Sequence, residues 1–80
     1  MHMAQIPYVN STGEVTAIVE LKNAADVFLV DENNYRKFKA HKSFDYYGGH
    51  YTKTPVRITV SGTGRWYLIV IGSSYNYKFV

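Results

Sequence analysis

The sequence predicts an all-β domain: an antiparallel β-sandwich or partly open barrel of six or seven short strands with one short helix. Three observations predict it. Apolar and polar residues alternate over several short runs. Clusters of Gly, Asn, Ser and Thr separate those runs at regular intervals. No stretch carries helical periodicity long enough for the crossover helices of a parallel sheet. The 80 residues are read as one sandwich-like domain, 1–80. A chain this short buries only roughly 60–65% of the surface its unfolded form exposes, so each large side chain counts.

Residues 1 to 13 hold Pro7, Asn10, Ser11, Thr12 and Gly13 and end in a turn signal. Gln5 to Val9 can add an edge strand, where proline is tolerated. His2, inside the opening Met-His-Met, is given no role. From Glu14 to Lys22 the alternation is clean: Val15, Ala17, Val19 and Leu21 share one face, and Glu14, Thr16, Glu20 and Lys22 share the other with Ile18. Asn23-Ala24-Ala25 makes a short turn. Asp26 to Val30 is apolar on both parities, which predicts a strand covered on both sides near the middle of the domain.

Asp31 is a candidate N-cap for a helix over Asn33 to Lys39. Tyr35 and Phe38 share a face of that helix, and Glu32 with the basic residues beyond suits its dipole. His41 to Thr54 reads as irregular, with Phe44, Tyr46 and Tyr47 entering a short strand that Gly48 breaks or bulges. Pro55 opens the next strand, turning Val56, Ile58 and Val60 inward and Arg57, Thr59 and Ser61 outward. Ser61-Gly62-Thr63-Gly64 reads as a hairpin loop. Arg65 to Ile71 is apolar on both faces, a second central strand, with Trp66 in or near the core beside Leu68 and Val70. Gly72-Ser73-Ser74 turns the chain, and Tyr75, Tyr77 and Phe79 then alternate with Asn76, Lys78 and Val80.

Several short motifs in this order resemble one bacterial family. They are Gly13-Glu14-Val15, Ala25-Asp26-Val27, Leu29-Val30-Asp31, Asn34-Tyr35, Tyr46-Tyr47-Gly48-Gly49, Pro55-Val56-Arg57 and Gly64-Arg65-Trp66-Tyr67. The spacing is similar to that of domain-of-unknown-function family eighteen-eighty-three, from about Gly13 to Gly72, and Tyr-Tyr-Gly-Gly followed by Pro-Val-Arg is the most specific part. The chain departs from the pattern at Ala40 to Asp45, where members carry a basic glycine-containing stretch, and in its shorter run from Tyr75 to Val80. The resemblance implies a small β-rich bacterial protein of a kind sometimes fused to TIR domains, and it supplies no catalytic residues.

Charge directs attention to one region. Arg36, Lys37, Lys39, Lys42, Lys53 and Arg57 face a single acid, Asp45, between residues 36 and 57, a local +5 within a chain of net +3. A face of that sign attracts anions. Eight tyrosines accompany it in the chain, three of them flanking Gly48-Gly49, a pair that lets a backbone or ligand come close. The candidate site is therefore a basic, tyrosine-rich corner: Tyr35, Arg36, Tyr46, Tyr47, His50, Lys53 and Arg57. Interleaved aromatic and basic side chains suit a protein hot spot. They equally suit nucleobases and phosphates. Expected partners are an unknown protein or an anionic ligand, with nucleic-acid or nucleotide binding as the rival and a self-associating homo-oligomer as a third reading.

Other classes receive less support. His41, His50 and Asp45 lack the close paired spacing of a zinc site, so no metal is expected. Ser43, Ser61, Ser73 and Ser74 are turn-type serines without a converging base, so no catalytic residue, enzyme activity or cofactor is expected. No apolar run approaches the ~20 residues of a membrane helix. The N-terminus lacks the pattern of a signal peptide. The absence of cysteine suits a reducing compartment. The expected location is the cytoplasm.

Overall fold

Residues 6–80 are described by a computed structural model. Gln5 and His2, touched on above, lie outside the described residues. The clean alternation after Glu14 belongs to a longer strand than its local pattern shows. Strand β1 runs Tyr8–Leu21, straight through the Asn10-Ser11-Thr12-Gly13 segment expected to turn. Strand β2 covers Ala25–Asp31, helix α1 Glu32–Lys39, strand β3 Tyr47–Tyr51, strand β4 Val56–Ile71 and strand β5 Tyr75–Phe79. All five strands join one antiparallel sheet in the order β3-β2-β4-β1-β5.

The expected count of six or seven strands is corrected to five among the described residues, and the cause is specific. The two segments read as turns pair with each other: Ser11 lies opposite Gly64, Thr12 opposite Thr63 and Gly13 opposite Gly62. Small, turn-prone residues here build a bend inside a ladder. A straight 16-residue strand would span about 50 Å, whereas the molecule measures 30 × 30 × 24 Å. Strand β4 must fold over, and it does so where Gly62 and Gly64 take φ of 138° and 134°, a region that favours glycine.

That bend builds the core. On one face of the sheet, Val15, Ala17 and Val19 lie opposite Val60, Ile58 and Val56 on one side of the bend. Leu29 lies opposite Leu68 on the other, with Val27 beside it. Both groups belong to one apolar cluster with Trp66, and Ala17, Val19, Val27, Leu29 and Leu68 are fully buried. The sheet folded on itself thus buries its own inner face. Each buried aliphatic side chain contributes about 1.5–3 kcal/mol of transfer free energy.

The opposite face is covered over one half. Val30 and Ile69, the apolar residues of the second parity in β2 and β4, are buried there. Their cover is α1 and a layer of rings. Tyr35 stacks on Tyr67 with centroids 3.8 Å apart, and Tyr46 tilts over Phe28 at 4.4 Å. Phe44 meets Phe28 and Phe38 edge-on. The doubly apolar pattern of both strands is therefore explained by two coverings. Phe44 and Tyr46, expected in a strand, stay outside it and serve this layer.

Candidate functional site

The end of β2, the start of α1, the start of β3 and the bend of β4 meet at one corner. Asp31 ends β2 and caps the helix: its Oδ1 accepts the Asn34 backbone N–H at 2.8 Å and the Asn34 side-chain amide at 2.9 Å. Asn34 in turn accepts the Asp45 N–H at 2.9 Å through Oδ1. These bonds tie the loop before β3 to the helix, and that loop delivers Tyr46 and Tyr47 to the corner.

Trp66 forms the floor. It is buried, its indole N–H donates to the Gly62 carbonyl at 3.5 Å, and the Tyr47 ring stands edge-on to it at 5.9 Å. A Cβ at Gly62 would sit 3.6 Å from the indole, an ordinary contact, so it is the φ of 138° and not the space that calls for glycine here. Tyr47 is 56% exposed and Tyr46 48%.

Two adjoining clefts share Asp31, Tyr47 and Trp66. One, of about 460 Å³, continues along Glu32, Asn33 and Ser61 to Arg65. The other, of about 440 Å³, continues to Asn34, Asp45 and Tyr46. Three carboxylates and one guanidinium line the pair. Arg65 lies over the Tyr8 ring at 4.6 Å and donates to Asn10 Oδ1 at 3.4 Å and to the Tyr67 hydroxyl at 3.5 Å. The bond to Tyr67, and then the charge of that phenol, hold its pKa above the ordinary arginine value.

Of the residues singled out from sequence, the corner brings together Tyr46 and Tyr47 only. Tyr35 belongs to the ring layer on the outer face, with Lys39 Nζ 5.4 Å from its centroid. Arg36 is exposed and pairs with Glu32 at 3.5 Å one helical turn away. His50 lies on the face of β3 opposite Tyr47, with Nδ1 2.9 Å from Asp26 Oδ1 across the ladder. Lys53 is exposed in the connection between β3 and β4. Arg57 points outward from the far end of β4, in a row with Ile18 and Lys78. Neighbours in sequence here are strangers in space, because alternation sends Tyr47 inward and Arg57 outward on different limbs of the sheet.

Sequence reasoning missed Asp31, Asn34, Asp45 and the Gly62 to Trp66 bend as parts of one cleft. The signal is present in the capping pattern and in the two glycines, but Ser61-Gly62-Thr63-Gly64 reads locally as a hairpin loop. The double glycine also has a different meaning. The close approach belongs to the sheet itself, since a Cβ on Gly48, at φ 139°, would run into the Val27 carbonyl, while Gly49 has open space.

Ser73 has structural work. Ser73 Oγ donates to the Ser74 carbonyl and accepts the N–H groups of Lys22 and Asn23. Among the described residues no three His, Cys, Asp or Glu side chains gather into a metal-holding group. Among them, too, no helix is long and apolar enough to cross a membrane.

Comparison with known proteins returns one family. The family model described as Domain of unknown function (DUF1883) matches residues 9–76, most of the chain. No curated protein and no solved structure matches.

Proposed function

The chain belongs to the DUF1883 family, and we propose that it is a non-enzymatic binding module whose partner docks at the Tyr46–Tyr47–Trp66 cleft. The observation that carries this reading is the exposure of two adjacent tyrosines beside a buried tryptophan, at a place where capping bonds and a glycine bend hold the walls. Tyrosine keeps few torsions and covers much area, so it loses little entropy on docking. The preference for an anionic ligand gives way here. Asp31, Glu32 and Asp45 line the clefts with Arg65, Glu32 also pairing with Arg36 beside them, and this acidic balance favours a protein segment that brings hydrogen-bond donors or a basic side chain. The bacterial cytoplasm, and the company of TIR-domain proteins, go with this reading as its setting.

The test is a matched pair of variants, Tyr47→Ala and Arg57→Ala, assayed against a partner recovered with the wild-type chain. Tyr47→Ala is expected to weaken binding by tenfold or more and Arg57→Ala to leave it within about twofold, with both melting within a few degrees of wild type. The reverse ranking removes the cleft as the site. Single-stranded oligonucleotides titrated at two salt concentrations address the rival: binding that falls steeply with salt supports phosphate contacts, and no binding at low salt eliminates it.

A further inference from the structure

Among the described residues, the outer side of β5 has no strand beside it. Thr16 and Val80 exchange two backbone hydrogen bonds, at 3.0 and 2.9 Å, and Lys22 N–H donates to the Ser74 carbonyl at 3.0 Å. In an antiparallel ladder such bonded pairs alternate with unbonded ones. With Ala17 opposite Phe79, Val19 opposite Tyr77 and Leu21 opposite Tyr75, the residues bonded to β1 are Ser74, Asn76, Lys78 and Val80. Tyr75, Tyr77 and Phe79 therefore turn their N–H and C=O groups away from β1. Among the described residues no strand pairs with that side.

We propose that this edge takes a second copy of the same chain, with the two β5 strands antiparallel about a two-fold axis through Tyr77. In that register Tyr77 meets Tyr77 of the second copy, and Tyr75 meets Phe79 in both directions. All three residues carry outward groups, so every one of the six finds a partner. The side chains agree with the same register. On one face Tyr75, Tyr77 and Phe79 already form a ladder with centroids 6.1 and 5.6 Å apart, and Tyr77 is 48% exposed. Pairing sets these rings against their copies, an aromatic cross-strand arrangement that stabilises sheets. On the other face each Lys78 meets an Asn76, so no like charges oppose. A two-fold axis through Lys78 instead would set lysine against lysine and leave the outward groups of Tyr75 without a partner, and one through Asn76 would set Phe79 against the turn at Ser73. Charge and hydrogen bonding select one arrangement, and it uses no residue of the cleft.

The experiment is sedimentation of the purified chain from micromolar to millimolar concentration. The wild type is expected to approach twice the chain mass as concentration rises. Asn76→Lys sets the introduced lysine against Lys78 of the second copy twice over, and is expected to weaken association by tenfold or more. Adding Lys78→Glu to that variant turns both contacts into opposite-charge pairs and restores it. Tyr77→Pro deletes an outward N–H and no bond to β1, and is expected to give a monomer. A wild-type monomer at every concentration overturns the proposal. So does a dimer indifferent to Asn76→Lys, because its interface lies elsewhere.

Discussion

The two edges of the sheet are both five residues long and both carry two tyrosines on one face, yet they are built differently. At β3 the sequence Tyr-Gly-Gly-His-Tyr lets Gly48 press against the Val27 carbonyl at a left-handed φ. That edge packs closely on its neighbour β2. At β5 the sequence Tyr-Asn-Tyr-Lys-Phe alternates without glycine, and among the described residues no strand pairs with its outward groups. Tyrosine alone does not say what an edge does; the residues between the tyrosines decide it. At β3 they serve packing and position Tyr47 for the cleft. At β5 they leave a template.

The comparison can be broken most violently from beneath. Leu29 is fully buried under β3, between Tyr47 and Leu68 in its row. Leu29→Ala is expected to cost about 2–5 kcal/mol, lowering the melting temperature by about 10 °C or more. Val19→Ala, in the row beneath Tyr77 of β5, removes fewer methyl groups and should cost less. Equal losses would mean that the two limbs of the sheet are not packed as described.

A sharper cut distinguishes the two glycines. Gly48→Ala forces a side chain into a backbone oxygen at a conformation that L residues avoid, and is expected to cost about 1–3 kcal/mol. Gly49→Ala meets open space and should stay within about 0.5 kcal/mol. Chemical denaturation of both variants reads the difference. If the two glycines are equally tolerant, or equally sensitive, β3 does not approach β2 as closely as it must.

The smallest effect lies in alkaline solution at β5. Burial raises the Tyr75 phenol above its ordinary 10.0, with the neighbouring Tyr77 adding to the shift. A pKa raised in the folded state means that folding favours the neutral phenol. The resulting stabilisation is whole below that ordinary value and is lost as pH climbs through the raised one. Wild type should therefore lose stability more steeply than Tyr75→Phe above that point. Parallel curves would place Tyr75 in water.

Much of this fold is legible from local pattern. The alternation of Val15 to Leu21, the double parity of Phe28 and Val30, the Asp31 cap and the inward set Val56, Ile58 and Val60 all rest on neighbours within a few residues, and each is found in place. The bend is not legible in that way. Asn10 to Gly13 and Gly62 to Arg65 look like turns because Gly, Ser, Thr and Asn favour them, and only their pairing across the chain turns two apparent ends into one ladder. The basic corner failed to assemble for a related reason. The local +5 is a property of the chain, whereas strand geometry sends successive residues to opposite faces. Tyr46 and Tyr47 were visible as candidates, and the acids that share their cleft were hidden in a cap and a loop.

The difference between the edges is read most directly by residue-resolved amide hydrogen exchange at two protein concentrations. In dilute solution slow exchange is expected at Asn76 and Lys78, which bond to β1, and fast exchange at Tyr75, Tyr77 and Phe79. Those three should become protected as concentration rises. Protection of all five at every dilution, or fast exchange at the three even in concentrated solution, would contradict an open edge that pairs with its own copy.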